Sequence, residues 1–255
     1  MTKPVISLDG KIILITGAGR GLGRAYAEAS CAAGATVIIA ELRQELGREA
    51  AADLTARGFN ATFLPLDLAD PASVHAMAKT ICQKFDRIDG LVNNGALADG
   101  VGGKTFEETT VEEWDRIMNV NVRGSWLTVK ECAGLLRKST AGRVLNIASD
   151  TALFGPPRVL HYNTSKAAII GMTRSLAREL GPDEITVNAI APGLAIVPAT
   201  ETMPEHRHQQ AVDGRAIARK QYPEDVVGTV LFFLSDASGF VTGQVLPVNG
   251  GFVFN

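Results

Sequence analysis

What most constrains this chain is a short run, met again and again, that is apolar at nearly every position. Lys11–Thr16 reads KIILIT and Thr36–Glu41 reads TVIIAE, without the polar alternation that would leave one face in water. Such strands are stable where helices cover both faces of their sheet. Five more β-branched runs follow, at Ala61–Asp67, Gly90–Asn93, Arg143–Ser149, Ile185–Ala191 and Gln244–Val248, and longer amphipathic stretches alternate with them. Helices are expected after the turn that follows Thr16 and over Gln44–Arg57, Pro71–Phe85, Val111–Arg137, Tyr162–Leu180 and Pro223–Ser235. Seven strands alternating with helices imply an α/β fold, a doubly wound parallel sheet flanked by helices. No linker divides the 255 residues, so the chain reads as one domain, 1–255.

The first strand runs into Thr16-Gly17-Ala18-Gly19-Arg20-Gly21-Leu22-Gly23 and then an alanine-rich helix. Glycines let a backbone turn with positive φ and approach a phosphate, while free N–H groups and the helix dipole offset its charge. A Rossmann-type dinucleotide site is therefore expected. Glu41 lies 18 positions after Gly23, near the roughly twenty-residue offset of an acid that binds the adenosine ribose hydroxyls. A carboxylate there repels a 2′-phosphate and favours NAD. Arg20 and Arg43 are the residues that speak for NADP, and with it for an NADPH-dependent ketone reductase on the same fold. Asp67 either contacts the adenine or caps a turn.

Tyr162 and Lys166 are four apart, hence on one face of a helix. A tyrosine becomes a base near neutral pH only if its ionised form is stabilised by several kcal/mol, about 4 for three units, which a lysine ammonium can help supply. Ser149 is expected at the end of the fifth strand, the ligand-binding edge of a parallel sheet, where it can hold a substrate oxygen. Thr151, Ala152, Leu153 and Phe154, with Leu97, Val159 and Leu194, suggest an apolar substrate pocket. The poorly periodic stretch 193–222, with Pro198, Pro204 and Gly214, reads as an irregular substrate lid.

Together with Asn93-Asn94-Gly95-Ala96, the stretch around Asn121, Ala191-Pro192-Gly193 and Val248-Asn249-Gly250-Gly251, these motifs resemble the short-chain dehydrogenase/reductase family from the first strand to the C-terminus. The resemblance implies a catalytic tetrad of Asn121, Ser149, Tyr162 and Lys166. In it Tyr162 exchanges the hydroxyl proton, Ser149 orients substrate, Lys166 also grips the nicotinamide ribose and Asn121 supports a water-linked proton relay. It adds Leu22, Leu68, Asn94, Gly95, Pro192, Gly193 and Val197 to the cofactor contacts of Gly17, Arg20, Gly21, Gly23, Glu41 and Asp67. It further implies a homotetramer built partly from the Val111–Arg137 and Tyr162–Leu180 helices. Three positions depart from the family pattern. Gly95-Ala96 stands for the usual Ala-Gly, Val197 for a threonine that Thr200 would have to replace, and Asn249 for an aspartate.

The expected activity is hydride transfer between NAD(H) and a small secondary alcohol or ketone, hydrophobic and cyclic or aryl. A non-catalytic dinucleotide sensor would have no use for the Tyr/Lys/Ser/Asn set, and a sugar-nucleotide epimerase would need a further C-terminal domain. A net charge of −2 without blocks of like charge gives no footprint for nucleic acid or a membrane surface. Pro4 and Asp9 break the N-terminal stretch where a secretory signal needs an apolar run, so a cytoplasmic protein is expected. Cys31, Cys82 and Cys132 read as buried free thiols. His161, His206 and His208 read as surface or lid residues without a metal, and Trp114 and Trp126 as core or subunit interface.

Overall fold

The computed structural model describes residues 6–201 and 203–254; Pro4 lies outside them. Seven strands, β1 (Ile12–Thr16), β2 (Thr36–Glu41), β3 (Ala61–Pro65), β4 (Gly90–Asn93), β5 (Arg143–Ile147), β6 (Thr186–Pro192) and β7 (Val245–Val248), form one sheet in the order 3-2-1-4-5-6-7. Every pairing is parallel. Side chains alternate between the two faces. Ile13, Ile15, Val37 and Ile39 pack into one core with Tyr26, Leu54 and Phe233, and Leu14, Ile38 and Leu91 into the other with Ile81, Leu127 and Leu136. This is why the strands read as continuously apolar.

The first core is roofed by α1 (Gly21–Ala32), α2 (Gln44–Ala56) and α9 (Glu224–Leu234), and the second by α3 (Pro71–Phe85), α5 (Ser125–Leu136) and α7 (Leu160–Leu180). Their starts are locally encoded. Asp70 caps α3, accepting from Ala72 N at 2.9 Å ahead of Pro71. Thr110 and Glu113 form a capping box at α4 (Val111–Ile117). Strand order reverses between β1 and β4, and there the carboxyl ends of the strands open a crevice.

Several elements differ from the sequence reading. The expected helix over 111–137 is broken by a π-helical turn, Met118–Gly124, between α4 and α5. Its causes lie elsewhere in the chain: Asn121 is bonded to Leu97, and Gly124 lies so close to Leu68 that a Cβ would sit 2.7 Å from that residue. Strand β5 stops at Ile147, leaving Ser149 in the turn beyond it, followed by a short helix α6 (Thr151–Phe154). The segment 193–222 is not wholly irregular, since α8 (Glu205–Asp213) crosses it. Cys31 and Cys132 are buried, but Cys82 is exposed because it lies on the outer face of α3. His161 and His208 are buried rather than at the surface, His208 with Nε2 at 3.1 Å from Thr200 O. Trp126 is 45% exposed, so it is not core.

Candidate active site

The crevice begins at the glycine turn. Gly17 and Gly21 have φ of 63° and 59°, conformations that strain other residues. A Cβ on Gly17 would lie 2.7 Å from Gly95 Cα, so the turn after β1 and the turn after β4 touch through two glycines. Thr16 Oγ1 accepts from Asn94 N at 3.1 Å and Gly95 N at 2.9 Å, and Asn94 Nδ2 donates to the carbonyls of Thr16 and Gly17, each at 3.0 Å. Gly95 suits this crowding, because a Cβ there would lie 2.8 Å from Leu68 Cδ1. No side chain caps α1 and no acid stands in its first turn, so its N-terminal N–H groups are available to an anion.

Glu41, ending β2, is buried beneath this turn. Its Oε2 accepts from Gly19 N at 3.1 Å and its Oε1 from Arg43 N at 3.0 Å. A Cβ on Gly19 would lie 2.9 Å from Glu41 Cγ, so any side chain there would displace the acid. The adenosine end of the crevice thus carries negative charge next to the open helix end. Arg20 is paired with Asp99, while Arg43 is exposed. Asp67 serves its own turn, accepting from Ala69 N at 2.8 Å. Val197 stands opposite Gly21, its Cβ 3.6 Å from where a Cβ of that glycine would be. Thr200 does not offer its hydroxyl in place of the missing threonine: Oγ1 accepts from Val197 N at 3.1 Å and lies 2.5 Å from Ala195 O, inside its own turn.

At the other end, α7 presents Tyr162 and, one turn on, Lys166. Tyr162 is hydrogen-bonded to Ser149, and Thr151 Oγ1 donates to Ser149 Oγ at 2.9 Å. Lys166 is buried, donates from Nζ to Ile147 O at 2.7 Å, and lies 5.8 Å from the centre of the Tyr162 ring. Asn121 accepts from Leu97 N at 2.8 Å and donates to Leu97 O at 3.2 Å and to Ser165 Oγ at 3.1 Å. Ser165 Oγ in turn donates to Tyr162 O at 2.7 Å, a link the sequence reading missed. Three of the four expected catalytic side chains are therefore in one cluster, and Asn121 joins it through Ser165.

Ionisation here departs from expectation. Burial pushes Tyr162 up to about 12, the Ser149 hydrogen bond works downward and the Asp150 carboxylate upward. Burial pushes Lys166 down to about 8. Burial penalises the charged tyrosinate and the charged ammonium alike, so the lysine does not by itself make this tyrosine a base at neutral pH.

Of the expected substrate-side residues, Leu153 packs partly buried on the cluster of Ala148, Ile169 and Ala191. Val159 precedes α7 and approaches Gly102, and Phe154 stacks on Phe252 with ring centres 4.9 Å apart. The root of the 193–222 segment is held by Arg215, whose Nη2 donates to Leu194 O at 2.9 Å, and by Gln221, whose Nε2 donates to Val248 O at 2.6 Å. Asn249 accepts from Gly251 N at 3.1 Å. Among the described residues no cluster of His, Cys, Asp or Glu could hold a metal, and no helix is long and apolar enough to cross a membrane.

A seven-stranded parallel sheet with a glycine turn at the switch point and a Tyr-x-x-x-Lys turn beside a serine defines a class of nicotinamide-dinucleotide oxidoreductases. The family model described as enoyl-(acyl carrier protein) reductase matches residues 17–253. The chain belongs to the short-chain dehydrogenase/reductase family. It is 36% identical over 246 residues to the (2S)-[(R)-hydroxy(phenyl)methyl]succinyl-CoA dehydrogenase subunit BbsD of Thauera aromatica, covering 96% of this chain and 98% of that one. It is 33% identical over 250 residues to the cyclopentanol dehydrogenase of Comamonas testosteroni, covering 97% and 99%. The crystal structure of 3-ketoacyl-(acyl-carrier-protein) reductase from Brucella melitensis complexed with NADH superposes with a TM-score of 0.89 at 30% identity, covering 97% of this chain and 100% of that one.

Proposed function

We propose that this oxidoreductase transfers a hydride between NAD(H) and a small secondary alcohol or ketone, hydrophobic and cyclic or aryl. The observation that carries the reading is the Tyr162–Ser149 hydrogen bond with buried Lys166 one turn away, at the opposite end of the crevice from Glu41. The glycine turn and the open end of α1 would hold the pyrophosphate, Glu41 the adenosine ribose, and Gly193 and Val197 would border the nicotinamide. When bound, the dinucleotide supplies the carbon that accepts or gives the hydride and, oxidised, a positive charge beside Tyr162. Ser149 holds the substrate oxygen, and Tyr162 exchanges its proton. Lys166 favours the ionised tyrosine, and Asn121 fixes the turn of α7 through Ser165.

Preference for NAD is supported by Glu41 in its buried place and by Arg20 being engaged with Asp99 rather than turned to a 2′-phosphate. The names of two relatives, one acting on a hydroxy(phenyl)methyl group and one on cyclopentanol, support the substrate class. The whole chain acts as one domain with 193–222 as its lid. A homotetramer accounts for the shallow groove lined by Met118, Val122, Trp126 and Met172, which leaves Trp126 half exposed. Steady-state turnover of a panel of aryl, cyclic and linear secondary alcohols with NAD and with NADP tests the reading. Turnover with NADP alone, or none with any secondary alcohol, would sink it, and a mass of about one chain in solution would remove the tetramer.

A further inference from the structure

Directly after Ser149 stands a carboxylate to which nothing above gives a role. Asp150 is 6% exposed, its N–H donates to Pro192 O at 3.1 Å, and its side chain is hydrogen-bonded to Asn249 and to the Thr151 N–H. Its Oδ2 lies against Gly193, so close that a Cβ at that glycine would sit 3.1 Å away. The turn after β5, the end of β6, the lid root and the C-terminal segment all meet at this one side chain. The cation that faces it is Arg215, yet that guanidinium is committed to carbonyls: Nη1 donates to Arg219 O at 2.8 Å, Nη2 to Leu194 O at 2.9 Å, and Nε is buried without a partner. The other titratable group that feels Asp150 is Tyr162 from α7.

A buried carboxylate without a close cation is costly to ionise. Burial pushes Asp150 up to about 6, so at neutral pH it is still mostly charged. That charge is felt at the Tyr162 hydroxyl, where it opposes the tyrosinate, and Arg215 is not among the groups acting there. The reacting end of the crevice therefore senses the carboxylate and not its distant partner.

We propose that Asp150 is the counter-charge for the oxidised nicotinamide ring, so that this crevice binds NAD+ in preference to NADH. The inference rests on reading the crevice as a nicotinamide site whose reacting end lies at Tyr162 and Gly193. The oxidised and reduced dinucleotides share adenosine, pyrophosphate and both riboses, so contributions from Glu41 and the glycine turn cancel in the ratio of their affinities. They differ in charge only at the ring, so a charge near it tells them apart. Lys166, cationic, disfavours the oxidised ring, and Asp150 offsets it. The same charge that opposes ionisation of an isolated Tyr162 thereby favours the cation that must accompany alcohol oxidation.

Isothermal titration calorimetry of NAD+ and of NADH, at pH 5.5, 6.5 and 7.5, on the unaltered protein and on Asp150→Asn, tests this without requiring turnover. The ratio Kd(NADH)/Kd(NAD+) should be about tenfold higher in the unaltered protein than in the variant at pH 7.5, the worth of one screened charge pair. It should fall toward the variant's value as pH drops through about 6, where Asp150 takes up its proton, and the variant's ratio should stay flat. Asp150→Ser serves if the amide disturbs folding, and the pH series on the unaltered protein needs no variant. Equal ratios in the two proteins, or a ratio independent of pH, would overturn the counter-charge while leaving the dinucleotide reading intact. Failure of the unaltered protein to bind either dinucleotide would overturn both.

Discussion

Two buried carboxylates stand at opposite ends of one crevice and are treated in opposite ways. Glu41 accepts two backbone N–H groups, from Gly19 at 3.1 Å in the turn after β1 and from Arg43 at 3.0 Å just past its own strand. Asp150 has one backbone N–H, that of its neighbour Thr151, and otherwise relies on the Asn249 amide and on a guanidinium that is spent on carbonyls. Backbone donors are fixed by the fold itself and hold a charge without further cost. Side chains gathered from distant parts of the chain leave a charge partly unmet, and groups so left have displaced ionisation. The comparison separates a binding end, built from main chain and settled, from a reacting end, built from side chains and held away from rest.

The largest effect should come from breaking the reacting end at its centre. Tyr162→Phe should cut alcohol oxidation by about 10² to 10⁴ or more while NAD still binds and folding is unchanged. Activity within about tenfold of the original, a difference of only about 1.4 kcal/mol, would remove Tyr162 from its proposed role. Lys166→Met should lower turnover by about a hundredfold and weaken cofactor binding at the same time, because one charge serves both. Its residual pH profile for oxidation should move upward, since the phenol already held up near 12 loses the one ammonium beside it. A profile unmoved by that substitution would detach the lysine from the tyrosine.

Breaking the settled end should change selectivity more than rate. Glu41→Ala removes the charge that repels a 2′-phosphate and a charge-assisted bond worth about 1.5 to 3 kcal/mol. The preference for NAD over NADP in kcat/KM should therefore narrow by about tenfold to hundredfold. Gly19, whose N–H holds that acid, would then lose its acceptor, so circular dichroism and a Tm should accompany the kinetics. An unaltered preference would mean that Glu41 does not face the ribose.

What could be read in advance divides along the same line. The two-sided strands were legible because Ile13 and Ile15 go to one core and Leu14 to the other, a period of two acting on a run apolar throughout. The glycine turn and Glu41 were legible because strand, turn, helix and acid follow in order along the chain. The π-helical turn was not, since helical periodicity runs unbroken through 111–137 and the interruption comes from Leu97 and Leu68, far away in sequence. Nor was the lid root: Arg215 reaches Leu194, Gln221 reaches Val248 and Asn249 reaches Asp150 across long separations, and nothing local marks them. The tyrosine and lysine were legible as a pair one turn apart, but their ionisation was misjudged, because how far each is removed from water is not written in a spacing of four.

The smallest expected effect sharpens the comparison at Asp150 through stability. Its value in the folded protein, about 6, lies above the ordinary 3.8, so folding binds a proton more readily than the unfolded chain does. The sign follows: between those two values the folded state gains stability as pH falls, and above about 6 the ionised carboxylate is a net cost. A rise of about two units corresponds to roughly 3 kcal/mol as a ceiling. Asp150→Asn removes that charge but leaves Arg215 with less compensation and places a new amide among groups already paired, so a net gain of about 1 kcal/mol is expected at pH 7.5. For a chain of this size that is about 2 to 4 °C in Tm. The difference between variant and unaltered protein should shrink as pH is lowered from 6 toward 4, because the unaltered side chain then becomes neutral as well. Glu41→Gln serves as the contrast: an amide has one oxygen where the carboxylate has two, so it can meet only one of the Gly19 and Arg43 N–H groups in the same way, and that variant should be less stable at pH 7.5, not more. Thermal unfolding of both variants across pH 4 to 8 checks the pair of signs. A loss of stability in Asp150→Asn at every pH would mean that its carboxylate is as well served as that of Glu41, and the contrast between the two ends of the crevice would not stand.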